Sequence, residues 1–236
     1  MIVYGRNPVR EAIRGPRAVK QVWAGKNALR EPWLAPLRTI TTAADPDELE
    51  RLCGSDSHQG VCADVASFRY ASPEALLTLP EPLIVALDQV QDPQNLGAIA
   101  RSAECAGASG LVLPERRSAE VTPAVCKASA GAVEHLPVAK IRNLADFLAD
   151  AKRAGLWCYG ADQAARAGYE GVDFGGPLVL VLGSEGKGLR PRVAGACDLL
   201  VSIPLRGKIE SLSVSAAAAI LIFAAAGNRQ RKLQDA

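Results

Sequence analysis

The chain has 236 residues, 49% of them hydrophobic, with 27 Lys and Arg set against 25 Asp and Glu for a formal net charge of +2. That size and apolar share exclude a disordered tail and a small stapled scaffold, while the charge is too small to argue by itself for nucleic acid. The six cysteines (Cys53, Cys62, Cys105, Cys126, Cys158, Cys197) form no C-x-x-C pair and the only histidines are His58 and His135, so neither a disulfide framework nor a metal site is expected.

In chain order, residues 1–68 read as a small α/β unit. Asn7-Pro8 offers an N-cap and first-turn proline for a helix through Arg14. Strands are expected at Val19–Ala24, Leu37–Thr42 and Gly60–Phe68, with a short helix opening at Asp45-Pro46. Arg6, Arg10, Arg14, Arg17 and Lys20 make a basic cluster that reads as a solvated helix face, as do Arg229, Arg231 and Lys232 at the other end.

Residues 69–82 hold Pro73, Pro80 and Pro82, which favours an extended linker around at most one short helical turn. From Leu83 to the C-terminus, 83–236, strand and helix alternate. Strands are expected near 83–88, 110–113, 136–141, 156–160, 178–182 and 199–203, and helices near 95–106, 122–133, 143–154, 189–196 and 211–232. The expected class is therefore α/β, with a mostly parallel sheet covered on both faces in the second domain. The longest apolar run, Ala216–Ala226, falls short of the ~20 residues of a membrane span, and no signal segment opens the chain, so the reading is soluble and cytoplasmic.

Three segments follow expected strands, where open α/β sheets place ligands: Asp88-Gln-Val-Gln-Asp-Pro-Gln-Asn95-Leu-Gly97-Ala-Ile-Ala-Arg101, Leu182-Gly183-Ser184-Glu185-Gly186-Lys-Gly188, and Ile203-Pro204-Leu-Arg-Gly207-Lys-Ile-Glu-Ser211-Leu212-Ser213-Val-Ser215. The glycine-rich segment is not a Walker A loop, because Gly186-Lys187 is followed by Gly188, and the position five residues before Gly186, where that loop needs glycine, is Val181. Nor does a dinucleotide fingerprint follow the first strand of the domain. Asn95 can be read simply as a helix cap, Arg101 as a surface arginine and Glu185 as a solvated loop carboxylate.

In order and spacing, the three segments resemble the motifs of the SpoU (TrmH-type) RNA 2′-O-ribose methyltransferases of the SPOUT superfamily, especially the RlmB-like ribosomal RNA enzymes. Tyr4-Gly5-Arg6-Asn7-Pro8-Val9-Arg10 and His58-Gln59-Gly60-Val61 resemble the ends of the ribosomal-protein-L-thirty-like substrate-binding domain found ahead of that catalytic domain. The resemblance implies a trefoil-knotted SPOUT domain that dimerises and uses S-adenosyl-L-methionine. It implies structured RNA as partner, with large-subunit ribosomal RNA favoured over tRNA.

By the same resemblance, Arg101, Glu185, Asn95 and Ser213 match catalytic positions, and Gly183, Ile203 and Leu212 match backbone contacts to the cofactor. Arg6, Asn7 and Arg10 fall in the substrate-binding segment. Ser213 stands where the pattern usually has asparagine, which keeps a non-catalytic RNA-binding paralogue open as an alternative. A small-molecule α/β enzyme is the other.

Overall fold

The computed structural model describes the backbone of residues 1–234 and side chains as far as Arg229; Arg231 and Lys232 lie outside the described side chains. Its first unit contains β1 (Ile2–Tyr4), α1 (Arg6–Arg14), β2 (Val19–Ala24), β3 (Thr41–Ala43), α2 (Pro46–Cys53) and β4 (Val61–Val65). The sheet order is β1-β4-β2-β3, with β4 antiparallel to β1 and β2, and β3 parallel to β2. The expected strand at 37–42 is mostly the end of a 3-10 segment, Pro32–Ile40, whose Pro32 and Pro36 fix φ in the helical range and carry the turn on to Ile40; only Thr41–Ala43 pairs. Helix α1 starts earlier than expected and Asn7 does not cap it; Gly5, at φ 95°, occupies the cap position with no side-chain bond. Asp45 caps α2 as its sequence suggests, accepting from the Glu48 amide at 2.8 Å.

The connecting residues carry α3 (Pro73–Leu77), capped by Ser72. The connection is docked rather than merely extended. Ala71 pairs with Ala139, and Leu76 is buried against Gly110, where any Cβ would lie 2.7 Å from its side chain.

The second unit follows as β5 (Leu83–Asp88), α4 (Pro93–Cys105), β6 (Gly110–Pro114), α5 (Pro123–Ala128), β7 (Val138–Ile141), α6 (Leu144–Arg153), β8 (Trp157–Ala161), β9 (Ala167–Gly168), β10 (Leu178–Gly183), α7 (Pro191–Ala194), β11 (Leu199–Ser202) and α8 (Val214–Gln234). Its seven strands are all parallel, in the order β7-β6-β5-β10-β8-β11-β9. All six residues of β5 are buried, as expected for a strand covered on both faces. The short β9 was not legible in the sequence. The expected helix 122–133 is broken after Ala128 because Ala130 (φ 52°) and Gly131 (φ 91°) turn the chain into a 3-10 segment, Ala132–Glu134.

That break receives the first unit. Gly131 lets α1 approach so closely that a Cβ there would stand 2.6 Å from Glu11 Cβ. Arg17, one of the five basic residues expected on a solvated face, is instead buried and donates from Nε to Glu134 Oε2 at 2.8 Å, from Nη2 to Glu134 Oε1, and from Nη1 to the Ala66 carbonyl at 3.1 Å. One apolar cluster runs continuously from Val3 and Val9 through Val125 and Val133 to Leu87. The two sheets therefore share a core.

Candidate functional site

The sheet order puts β10 between β5 and β8, so the sheet reverses direction of growth beside β5, the kind of place where α/β sheets hold ligands outside the strand ends. Strands β5 and β10 run in register to Gly183 opposite Asp88, which makes the loops after them neighbours. Asp88 is 1% exposed, and both its carboxylate oxygens are used: Oδ2 accepts from the Arg190 amide at 2.9 Å, and Oδ1 accepts from Arg190 Nε and Nη2 at 2.8 and 2.7 Å. A fork of this kind has both charge and geometry in its favour. It ties the start of the first segment to the exit of the glycine loop.

Asp92, not Asn95, caps α4, accepting from the amides of Gln94 and Asn95 at 3.2 and 3.0 Å. This frees the Asn95 side chain, whose Nδ2 donates to Glu185 Oε2 at 3.3 Å across ninety residues of sequence. Arg101 is exposed on the same helix and forms no ion pair among the described residues, so Glu185 is held by Asn95 rather than by Arg101. Gly97, between them, packs on α5: a Cβ there would lie 2.3 Å from Ala128 Cβ.

The glycine loop folds back on itself, with the Ser184 amide donating to the Gly188 carbonyl at 3.2 Å and the Gly188 amide returning the bond at 2.9 Å. Gly183 has no room for a side chain, since its Cβ would fall 2.1 Å from the Gly188 carbonyl carbon. Gly186 and Gly188 take positive φ, 77° and 63°. Beneath this turn opens a cavity of about 510 Å³, lined by Gly183, Glu185, Ile203, Leu205, Leu212 and Leu221 among others. All three residues matched to the cofactor line it. Ser213 caps α8, its Oγ accepting from the Ala216 amide at 3.2 Å and lying 3.2 Å from Ser215 Oγ.

A profile of the SpoU rRNA methylase family matches residues 82–223, and a profile described as RNA 2′-O ribose methyltransferase substrate binding matches residues 2–71. The chain belongs to the SpoU family. It is 38% identical over 231 residues to YacO of Bacillus subtilis strain 168, named a putative TrmH family tRNA/rRNA methyltransferase, with 94% of this chain and 93% of that one covered. Among solved structures it is similar to the SpoU methyltransferase AviRb of Streptomyces viridochromogenes in complex with AdoMet (TM-score 0.82, 25% identity, 99% and 91% covered). It is also similar to the AdoMet-bound rRNA methyltransferase of Sinorhizobium meliloti (0.81, 26%, 98% and 87%). The A. aeolicus TrmH/SpoU tRNA modifying enzyme aligns with only 68% of this chain and 81% of its own length, at TM-score 0.58 and 27% identity.

As a SpoU enzyme the protein is an S-adenosylmethionine-dependent RNA methyltransferase, and the cavity extends beyond the three motifs. Ala161, Asp162 and Gln163, at the end of β8, form a further wall. Gln163 donates to the Glu210 carbonyl and so holds the third segment over the cavity. A polar pair after an expected strand was the available signal, but without the strand order nothing placed β8 between β10 and β11. Of the substrate-binding candidates, Arg6 pairs with Glu31 at 3.1 Å and Arg10 with Glu11 at 3.0 Å, while Asn7 is exposed. The Arg6 amide donates to Gln59 Oε1 at 3.0 Å, which joins the two halves of the N-terminal resemblance at one surface.

Proposed function

We propose that this SpoU enzyme methylates a ribose 2′-hydroxyl of large-subunit ribosomal RNA, with residues 1–68 selecting the RNA, 69–82 connecting and 83–236 performing the chemistry. The observation carrying the reading is the Asn95–Glu185 contact, which brings the first and second motifs together at the rim of the cavity. Ribosomal RNA is favoured because the rRNA methyltransferase named above aligns along nearly the whole chain, whereas the tRNA enzyme aligns with about two thirds of it.

The cavity suits the cofactor. Leu205, Leu212 and Leu221 offer apolar walls to an adenosyl group, and Gly183, Ile203 and Leu212, the positions matched to the family's backbone contacts, all line the cavity. When bound, S-adenosylmethionine supplies an electrophilic methyl group. Asn95 and Glu185 hold the first turn of α4 against the glycine loop and so fix the helix bearing Arg101. A guanidinium cation has no lone pair free to take a proton and so does not serve as a base; Arg101 orients the substrate phosphate and stabilises charge developing on the ribose oxygen. Asp88 and Arg190 keep the two loops from separating.

The partner surface follows from α8. Val214, Ala218, Leu221, Ile222 and Ala225 are buried, but Ala216 and Phe223 are exposed on the opposite face, Phe223 by 52%. A second copy of the chain covers that stripe in the proposed homodimer. The deciding experiment presents labelled S-adenosylmethionine with ribosomal RNA and tRNA from cells lacking this protein. Label mapping to one ribose of large-subunit RNA is expected. Label in tRNA alone would reassign the substrate, and cofactor binding without transfer to either RNA would mark a binding paralogue.

A further inference from the structure

The loop between β6 and α5 carries Glu115, Arg116 and Arg117, all exposed, and Arg117 holds φ 58°. An arginine in the left-handed region gains nothing sterically there, and such strain gathers where function requires it. The facing loop after β5, its neighbour in the sheet, has a counterpart in Gln89 at φ 63°. The two loops are tied: the Ala119 amide donates to the Val90 carbonyl at 2.9 Å and Ser118 Oγ donates to the same oxygen at 3.4 Å. From the other side Tyr70 Oη accepts from the Val121 amide at 3.0 Å. The arginine loop is thus anchored two residues from Asp92, the cap of the helix that bears Asn95 and Arg101.

Its charge is also free. Neither Arg116 nor Arg117 forms an ion pair among the described residues, and the nearby Glu120 is taken by Lys140. By contrast, the N-terminal basic residues each face a carboxylate: Arg6 faces Glu31, Arg10 and Arg14 share Glu11, Arg17 faces Glu134, and Lys20 shares Asp64 with the N-terminal ammonium. Two uncompensated guanidinium groups on a pinned loop suit phosphate, which each can grip through two parallel hydrogen bonds.

We infer that Arg116 and Arg117 clamp the RNA backbone next to the target ribose, positioning the 2′-hydroxyl for the methyl transfer proposed above, on which this inference rests. The clamp acts on RNA and not on the cofactor, because neither arginine lines the cavity.

The test uses the full chain, with R116A/R117A, R116K/R117K and Arg117→Gly compared against wild type. Substrates are ribosomal RNA and tRNA prepared from cells lacking the protein, and cofactor affinity is measured by calorimetry. The alanine pair should lose roughly tenfold to a hundredfold in kcat/KM for RNA, chiefly through KM, with unchanged S-adenosylmethionine affinity; the slope of log affinity against log salt should fall by about one per arginine. The lysine pair should keep the salt slope. Arg117→Gly, which relieves the φ strain, should raise the melting temperature yet weaken RNA binding. Active wild type with an equally active alanine pair of unchanged salt slope overturns the clamp alone. Wild type that methylates neither RNA overturns both the clamp and the reading beneath it.

Discussion

Arg101 stands exposed and unpaired among the described residues on a helix fixed by Asn95 and Glu185, so the fold does not depend on its side chain, and its proposed role is toward the substrate. Arg101→Ala should therefore leave the melting temperature and cofactor affinity unchanged while lowering methyl transfer by roughly a hundredfold or more in single-turnover assays. Ser213 is different, because its hydroxyl caps α8. Ser213→Ala should cost about 1 kcal/mol in chemical denaturation, whereas Ser213→Asn, an equally good cap, should be nearly neutral in stability and show its effect in turnover. Gly183 is closed to any side chain by the Gly188 carbonyl. Gly183→Ala must push the glycine turn off the cavity and should weaken S-adenosylmethionine binding about tenfold or more by calorimetry, equivalent to ~1.4 kcal/mol.

Between elements, the decisive contact is that of α1 and the segment after it with the turn following α5. Arg17 and Glu134 are 6% and 1% exposed at the side chain, so removing one partner leaves a buried charge without compensation. Arg17→Met should destabilise by roughly 3–5 kcal/mol, while the double change Arg17→Met with Glu134→Leu should recover most of that in urea unfolding. Beside this pair, Glu11 faces His135 at 3.0 Å as well as Arg10 and Arg14. Burial opposes its charge, but the hydrogen bonds with His135 and Arg10 and the field of Arg14 outweigh burial and hold its carboxyl below the ordinary value of 4.5. Its contribution to stability is consequently present above that value and lost as pH falls through the lower folded one. Glu11→Gln should flatten the acid limb of the stability curve and leave the neutral region little changed in slope.

For the whole molecule, a fragment beginning at Leu83 keeps every residue that lines the cavity and every residue of the three motifs. It loses Arg17 and the Leu76 side chain that packs on Gly110. The fragment should still bind S-adenosylmethionine once folded, and it should bind structured RNA more weakly, but Glu134 is left unpaired. Adding Glu134→Gln to the fragment should raise its melting temperature, a gain with no counterpart in the full chain. In the full chain, Phe223→Glu should convert the proposed dimer to monomer by sedimentation velocity, since a carboxylate on that stripe cannot be buried against a second copy without severe desolvation.

Most elements of the second unit were legible because the strands are short apolar runs between helices with start signals: β5 falls on 83–88, and α6 within the expected 143–154, whereas β9 and the break after α5 were not. The resemblance singled out the motif glycines and Asn95, Glu185 and Arg101 as candidates, since their order along the chain is a property of sequence. What sequence could not supply was adjacency. Only the strand order places β10 between β5 and β8, setting Asn95 against Glu185 and adding Gln163 to the wall of the cavity. Arg17 looked solvated because a local window of basic residues contains no trace of Glu134, 117 residues away. Local periodicity reports which face of an element is apolar, but which partner meets that face is settled by long-range packing.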